Sequence, residues 1–453
     1  MEYLLQEKEK NNLEVKNDGF YLLLVILFAM FLVRDFGIIN IHPLIFVFYT
    51  TFLFIVFDLS KSLSLIFILC CVGSAMQILY AILIGLLFIL VKYYYKFRLN
   101  FNVILPGILL AWELLHVMIF NTSFNEYLRW SAGFVTIILL VSLKKDEIDF
   151  KILIKSFSIT VIFTCFIILL DAIKFWDGNL VAMIENGYRL GRINEYPDML
   201  FKMTGNSNAL GSLCNLALSC ELVMFVGYNS HKEKILSLLR CILLAILGFT
   251  TLSRTFIVVF FAIFILFIFF FKCSVKKKLI FILSFFLTGI IALLAIYMIS
   301  PEIIINFLER FSVEDISNGR IDGIKFYLKV LTENLDWFIF GIGTQDILSI
   351  IAERGYIWPN VPHNGVVEML MCFGVIGSVL ICFIFGMLLS DVLKNYRLNS
   401  KFNMILLIPM LILIIEMQAG QFFKNYDNII LFGLSYLIMF ILLDFNGKGV
   451  KND

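Results

Sequence analysis

Long apolar stretches alternate with short polar ones along the chain from Phe20 to Leu443. Most of these stretches are close to the about 20 residues that an α-helix needs to cross the hydrocarbon core of a membrane. The composition agrees, because 61% of the residues are hydrophobic and 15% are charged, whereas soluble domains carry about 25% charged residues. The pattern predicts an all-α fold, a polytopic bundle of about 12–14 transmembrane helices.

The stretch from Leu63 to Val91 is too long for one ordinary span and short for two. A single tilted helix gives about 13 helices and an external N-terminus, whereas a tight hairpin near Gly73 and Ser74 gives about 14 helices and an internal one. We favour the hairpin because it places the Lys-containing N-terminus on the cytoplasmic side.

Lys and Arg in the short loops predict the orientation, because cytoplasmic loops collect an excess of these residues. The basic loops, predicted to be cytoplasmic, carry Lys92, Lys96, Arg98, Lys144, Lys145, Lys151, Lys232, Lys234, Lys272, Lys276, Lys277, Lys278, Lys394, Arg397 and Lys401. Alternation then places segments 121–128, 173–207, 250–254, 300–362 and 417–427 outside.

These sides divide the chain into five parts. Residues 1–19 form a cytoplasmic tail, 20–299 the N-terminal transmembrane helices, and 300–362 a large extracytoplasmic loop. Residues 363–445 form the C-terminal transmembrane helices and 446–453 a second cytoplasmic tail. The long outer loop therefore precedes the third-last helix.

Apolar residues recur at helical spacing within the large outer loop, at Ile321, Ile324, Leu328 and Leu331. This spacing predicts an amphipathic helix that lies on the membrane surface. Gly341 and Gly343 follow, and glycine allows a tight turn or a close approach of backbone to a ligand. We expect the loop to form a lid or a wall over a site.

Several arginines fall on the predicted outer face, against the orientation rule, namely Arg129, Arg189, Arg192, Arg254 and Arg320. Arg254 lies in a very short turn between two apolar helices, where a charge is costly unless it has a partner. A guanidinium is suited to phosphate, so a lipid pyrophosphate is one such partner. The alternatives are lipid headgroups for Arg254 and plain solvation for Arg189 and Arg192.

Among the four histidines, His363 has the most informative position. It follows two prolines where the outer loop re-enters the membrane, next to Asn364 and ahead of Glu368. The alternative is an interfacial histidine that bonds the backbone. His42 is predicted to cap a helix, and the pair Glu113 and His116 to form a structural hydrogen bond between helices rather than a proton path.

Motifs for metal or nucleotide chemistry are missing from the sequence. It has no outer Asp-x-Asp pair, no Walker-type loop and no Cys/His cluster with metal-ligand spacing. We therefore expect no cofactor and no metal. The net charge of +2 does not indicate a nucleic-acid partner.

His363 and Asn364 are followed by nine residues and then by Gly374 and Gly377, in the pattern H-N-x(9)-G-x-x-G. This pattern resembles the signature of the O-antigen ligase and polymerase family, the Wzy-type membrane glycosyltransferases. The long outer loop before the motif, the Ser-Arg turn at 253–254 and the Arg-Leu-Gly segment at 189–191 are similar to that family as well.

The resemblance implies transfer of a glycan from undecaprenyl pyrophosphate to a sugar hydroxyl, on the outer face of the bacterial cytoplasmic membrane, to build O-antigen or capsule. His363 would be the base for the acceptor hydroxyl. Arg189 and Arg254 would hold the donor pyrophosphate, with Arg192 and Arg320 as further candidates.

The remaining motif residues would support this site. Asn364 and Glu368 flank the histidine, and Gly374 and Gly377 would allow close helix packing behind it. Gly341 and Gly343 would bring backbone donors toward the substrate. The implied partners are a lipid-linked oligosaccharide, membrane lipids, and a chain-length regulator and flippase of the same pathway.

Members of this family differ in acceptor. A polymerase joins lipid-linked repeat units, whereas a ligase moves finished glycan to a terminal acceptor. We favour the polymerase because the long outer loop could seat a repeat unit. A flippase or other transporter would need charged residues along a midplane pathway and repeated broken helices, and the sequence shows little of either.

Overall fold

The computed structural model describes residues 17–36, 38–39, 41–72, 76–97, 103–120, 123–145, 148–179, 182–183, 186–191, 206–228, 230–271, 274–299, 301–309, 319–344, 346–398, 404–423 and 425–441. The all-α prediction is confirmed. Within these ranges the only β pairing is an isolated bridge between Phe97 and Leu143. The predicted tails fall mostly at residues 1–16 and 442–453, which lie outside the described residues.

Helices follow one another along the whole chain. The first half contains α1 (Asn17–Asp35), α2 (Pro43–Val56), α3 (Leu59–Cys71), α4 (Met76–Lys92), α5 (Ile104–Phe120), α6 (Phe124–Ser142) and α7 (Phe150–Phe175). The second half begins with α8 (Ser207–Gly227), α9 (His231–Thr250), α10 (Arg254–Phe270) and α11 (Val275–Ile299). The segment predicted to lie outside, called the outer segment below, contains α12 (Pro301–Glu309), α13 (Arg320–Glu333), α14 (Leu335–Phe340) and α15 (Ile347–Glu353). The chain ends with α16 (Gly365–Leu398), α17 (Ile408–Met417) and α18 (Tyr426–Ile438).

Three of the described helices, α7, α8 and α16, have both the length and the hydropathy to cross a membrane. Other apolar helices are shorter, between 10 and 17 residues. The chain is therefore a helical membrane protein, as the apolar stretches predict. The side of the membrane that each loop faces stays a prediction.

The stretch from Leu63 to Val91 contains two helices, the end of α3 and most of α4, in line with the hairpin alternative. Gly73 and Ser74 themselves lie outside the described residues. Asp58 explains the start of α3, because its carboxylate accepts a hydrogen bond from the backbone N–H of Lys61. His42 caps α2 as predicted, with Nδ1 accepting from the N–H of Leu44 at 3.3 Å.

The predicted cytoplasmic loops meet at one end of the bundle. The Lys92 ammonium donates to the carbonyl oxygens of Ile55 and Phe57 at 2.9 and 2.7 Å. The N–H of Lys144 donates to the carbonyl oxygen of Lys96 at 3.2 Å. The predicted outer segments come together in a different place, around the cavity described below.

Helix α13 begins at Arg320 and has the predicted amphipathic character, with one face buried against the protein. The residues that it buries are Gly323, Tyr327, Val330 and Leu331. Ile321 and Leu328 are exposed at 56% and 42%. The reason is that α13 packs on its protein neighbours, where the ring of Phe326 stacks on Trp358 with centroids 4.8 Å apart.

Helix α16 is broken at Gly374, whose φ of 61° and ψ of −172° leave the helical region. The break exposes carbonyl oxygens of the preceding turn, which a helix would otherwise use. The N–H of Ile342 donates to the carbonyl oxygen of Met371 at 2.9 Å, and that of Gly343 to Cys372 at 2.8 Å. The segment after α14 is therefore docked into the broken helix.

Gly341 and Gly374 make this docking possible. Both have positive φ, and a Cβ on either would collide with backbone atoms of the other segment. Helix α5 supports the same segment, because Nε2 of His116 hydrogen-bonds the carbonyl oxygen of Phe340 at 2.9 Å. His116 Nδ1 lies 3.2 Å from the Glu113 carboxylate. The pair thus has the structural interhelical role that the sequence predicts.

Candidate active site

Three segments that are far apart in the sequence meet at the predicted outer end of the bundle. They are the segment Arg189–Gly191, the start of α8 and the turn between α9 and α10. The Leu190 N–H donates to the carbonyl oxygen of Thr250 at 3.0 Å. Nε of Arg189 donates to the carbonyl oxygen of Thr251 at 3.2 Å. The Arg-Leu-Gly segment therefore lies along the Ser-Arg turn.

Asn208 joins these segments through its side chain. Its Oδ1 accepts from the Ser253 hydroxyl at 2.8 Å and from Nη2 of Arg189 at 3.5 Å. Ser253 also caps α10, because its Oγ accepts from the N–H of Phe256. Arg254 is the first residue of α10, so the cap and the hydrogen bond to Asn208 place its backbone beside the other two segments. Arg192, the fourth predicted arginine, lies outside the described residues.

The outer segment brings Arg320 and His363 to the same region. Arg320 opens α13 after Gly319, which has a φ of 76°. His363 immediately precedes the Asn364 cap of α16. The chain that leads to His363 crosses α13, where the Tyr327 hydroxyl donates to the carbonyl oxygen of Asn360 at 2.5 Å. Packing of this chain on α13 therefore sets the position of His363 relative to Arg320.

Arg320 and His363 line one cavity of about 450 Å³. Its other polar lining residues include Glu126, Arg129, Asn206, Asn208, Ser212, Glu416, Gln421, Asn425, Tyr426, Asp427 and Asn428. In the described part of the chain, Arg189 and Arg254 are not lining residues. Asn208, which bonds Arg189, and Thr255, which follows Arg254, do line the cavity. Arg189, Arg254 and Arg320 thus lie at or beside one edge of the cavity, while Arg129 also lines it.

Electrostatic interactions connect Arg254, Arg320 and His363. Burial lowers the pKa of Arg320, and the positive charge of Arg254 lowers it further. Partial withdrawal from water and then the charge of Arg320 lower the pKa of His363 below its usual 6.5. The ring of His363 makes no hydrogen bond to another described residue, which leaves a neutral nitrogen available to a substrate.

We expect activity that depends on neutral His363 to persist below pH 6.5. Activity falls only when the pH drops through the lowered pKa, so the midpoint of the acidic limb should lie below 6.5. Arg320→Gln removes the charge that lowers this pKa and should move the midpoint to higher pH. The measurement is the rate of glycan transfer against pH, and Lys325→Gln, an exposed cation on the same helix, is the control. An unchanged midpoint in Arg320→Gln would show that the charge of Arg320 does not lower the pKa of His363.

Asn364 and Glu368 hold the rim of the cavity. Asn364 caps α16, with Oδ1 accepting from the N–H groups of Val366 and Val367, and its Nδ2 donates to the carbonyl oxygen of Gln418 at 3.2 Å. Glu368 is fully buried. Its Oε2 accepts from the N–H groups of Phe422 and Phe423 at 2.6 and 2.9 Å.

The connection between α17 and α18, to which Glu368 is hydrogen-bonded, contributes Ala419, Gly420, Gln421 and Phe422 to the cavity lining. Asn364 and Glu368 thus contact the rim of the cavity, and their supporting role stays a prediction. Neither side chain lines the cavity itself, and both bond the α17–α18 connection that forms its rim.

The glycines have a different arrangement from the predicted one. The N–H groups of Gly341 and Gly343 donate to the carbonyl oxygens of Trp337 and Cys372, so neither is directed at a substrate. Gly374 breaks α16 instead of serving as a simple packing position. Gly377 lies behind the break, where an added Cβ would approach Phe373 and the Trp112 indole.

Several lining residues were not predicted as part of the site. Arg129 was recognised only as a basic residue on the outer face, and it pairs with Glu126 at 3.2 Å. Glu416 and Tyr426 come from α17 and α18. Glu416 stands within an apolar run, where a carboxyl group is costly, and this was the one signal in the sequence that could have identified it.

Residues 239–382 match the family model described as O-antigen ligase. Over these residues the chain is similar to the O-antigen ligase family. This finding confirms the resemblance that the His363 motif carries, and the matched range includes Arg254, Arg320 and His363. No curated protein matches the chain significantly. The match to the O-antigen ligase model indicates a glycosyltransferase-like activity but does not separate polymerases from ligases.

Proposed function

We propose that this O-antigen ligase-type protein polymerises oligosaccharide repeat units carried on undecaprenyl pyrophosphate, on the outer face of the cytoplasmic membrane. The observation that carries the proposal is the shared cavity of His363 and Arg320 with Arg254 beside it. One edge of the cavity supplies a neutral base and positive charge, the two groups that glycan transfer from a pyrophosphate requires. Membrane lipids and the lipid-linked glycan are the partners of this reaction.

In the proposed reaction, the acceptor hydroxyl gives its proton to the ring nitrogen of His363 while its oxygen bonds the anomeric carbon of the donor sugar. The bond between that carbon and the pyrophosphate oxygen breaks, and its electron pair stays on the pyrophosphate. The guanidinium groups of Arg254 and Arg320 stabilise the negative charge. The products are a longer glycan and undecaprenyl pyrophosphate.

Arg189 has a supporting part in this scheme. Its guanidinium bonds the Thr251 carbonyl oxygen and the Asn208 side chain, so it holds the Ser-Arg turn that carries Arg254. Arg189 is also proposed to contact the donor pyrophosphate, because a guanidinium is suited to phosphate. Arg192, three residues later in the sequence, is proposed as a further pyrophosphate contact.

Transfer of finished glycan to a terminal acceptor is the second candidate function. The specific observation in its favour is the description of the matching family model, O-antigen ligase. The same base and the same arginines would serve a ligase, because only the molecule that brings the hydroxyl differs. A chain-length regulator and a flippase would act with a polymerase on the same glycan.

We expect the purified protein to extend undecaprenyl-pyrophosphate repeat units in lipid vesicles without added metal or nucleotide. The reason is that side chains of the protein itself supply the base and the charge stabilisation. Products are resolved by length on a gel, and a ladder of lengths is the expected result.

A parallel reaction offers lipid A core as the acceptor with preformed polymer as the donor. Transfer to the core without a ladder from repeat units would contradict the polymerase and favour the ligase. Transfer in neither reaction, with folded protein, would contradict both functions.

A further inference from the structure

The side of the cavity formed by α17 and α18 carries a buried hydroxyl without a partner. Tyr426 lines the cavity and is only 4% exposed. Its hydroxyl makes no hydrogen bond to any described residue. A buried polar group that lacks a partner costs free energy, so such groups are usually satisfied by protein, water or a ligand.

Glu416 also contributes to this side. Its carboxyl group is 8% exposed, lines the same cavity, and accepts a hydrogen bond at Oε1 from Nδ2 of Asn215 at 3.1 Å. Asn215 donates to the carbonyl oxygen of Phe256 as well, which fixes the amide between α10 and α17. The Glu416 carboxyl group is therefore held in place by a side chain that does not line the cavity.

The two sides of the cavity differ in chemistry. One edge has Arg320 and His363, with Arg254 beside it. The α17–α18 side has the carboxyl groups of Glu416 and Asp427, the phenol of Tyr426 and the amides of Gln421, Asn425 and Asn428. Carboxyl groups and amides bond the hydroxyl groups of a sugar well, and they carry no positive charge for a pyrophosphate.

We propose that Tyr426 and Glu416 bind hydroxyl groups of the acceptor sugar and hold it facing His363. This inference rests on the proposed function and assigns the α17–α18 side of the cavity to the acceptor. The donor pyrophosphate then occupies the edge with Arg320. The acceptor hydroxyl that attacks the donor would then lie between His363, which acts as the base, and the α17–α18 side, which binds the rest of the acceptor sugar.

Tyr426→Phe tests the inference sharply because it removes only the hydroxyl. If that hydroxyl has no ligand, its removal leaves the thermal stability unchanged or raises it and changes no binding property. If it bonds the acceptor, the variant loses one hydrogen bond to the sugar. We expect the acceptor KM to rise about tenfold, with the donor KM unchanged.

The acceptor is an alkyl glycoside of the repeat unit, which can accept but cannot donate because it lacks a pyrophosphate. Its KM is measured at fixed donor, and its Kd is measured by calorimetry without donor. Glu416→Gln, which keeps the size of the side chain and an acceptor for Asn215, should raise the same two constants. Tyr436→Phe is the matched control, since Tyr436 is buried on α18 but does not line the cavity.

Equal Kd values for wild type and Tyr426→Phe would overturn the inference, whether or not transfer occurs. An equal rise in donor and acceptor KM would also overturn it, because the loss would then not be specific to the acceptor. Absence of any transfer by wild type, with weaker glycoside binding in Tyr426→Phe, would contradict only the proposed function.

Discussion

His363→Ala should lower the rate of glycan transfer by about 10²–10⁴, because that is the usual contribution of a general base. The amount of protein in the membrane should stay normal, since the His363 ring makes no hydrogen bond to another described residue. The measurement is the initial rate of chain extension by purified protein, normalised to folded protein by size-exclusion chromatography. His231→Ala, which changes an exposed histidine at the start of α9, should retain the wild-type rate.

His363→Gln separates a base from an orienting group. Glutamine keeps hydrogen-bonding capacity but cannot accept a proton at neutral pH. A base role therefore predicts a loss as large as in His363→Ala, whereas an orienting role predicts partial rescue. Wild-type extension by His363→Ala would show that the motif marks only the entrance of α16.

Arg254→Ala should lower the rate by about 10²–10³, the usual cost of removing one donor to a developing negative charge. Arg254→Lys should retain more activity than the alanine variant and remain impaired, because lysine keeps the charge but loses the planar fork of donors. Both rates are measured at saturating acceptor and varied donor. Arg254 is close enough to Arg320 to lower its pKa. Because both arginines are proposed to bind the donor pyrophosphate, the loss of activity in the Arg254 variants should involve the donor.

Arg354→Lys is the matched control for the Arg254 variants. Arg354 is another arginine of the outer segment, but its Nη2 pairs with Asp336 at 2.6 Å and its guanidinium lies 4.0 Å above the Trp337 ring. This replacement should leave the donor KM unchanged. Wild-type polymer yields from both Arg254 variants, at normal protein levels, would indicate that Arg254 only contacts lipid headgroups.

Much of the site could be predicted because charge is rare on this chain and costly near the membrane. Arg254 in a short turn, and His363 where the outer loop re-enters the membrane, are noticeable for that reason. The site residues Glu416 and Tyr426 were not predicted. A tyrosine at a helix start is common in membrane proteins, so its type and position carry no signal for a ligand.

The all-α class of the fold and the helical conformation of α13 could also be predicted from the sequence. In a membrane each backbone polar group must be satisfied internally, so a long apolar run predicts a helix. Which face of α13 is buried could not be predicted. Ile321 and Tyr327 are both apolar enough for a packed face, and only the position of Trp358 on the other segment decides between them.

The amino-acid sequence was sufficient to predict an all-α membrane protein, to identify the motif that resembles the O-antigen ligase family, and to indicate a basic, histidine-containing site. The docking of α14 on a broken α16 through Gly341 and Gly374, and the cavity that Tyr426 shares with His363, are visible only in the folded chain. The physical reason is the distance along the sequence over which each signal acts. Apolar length and helical spacing act within one segment, whereas a positive φ, an exposed carbonyl or an unpartnered hydroxyl acquires its role from a segment distant in the sequence.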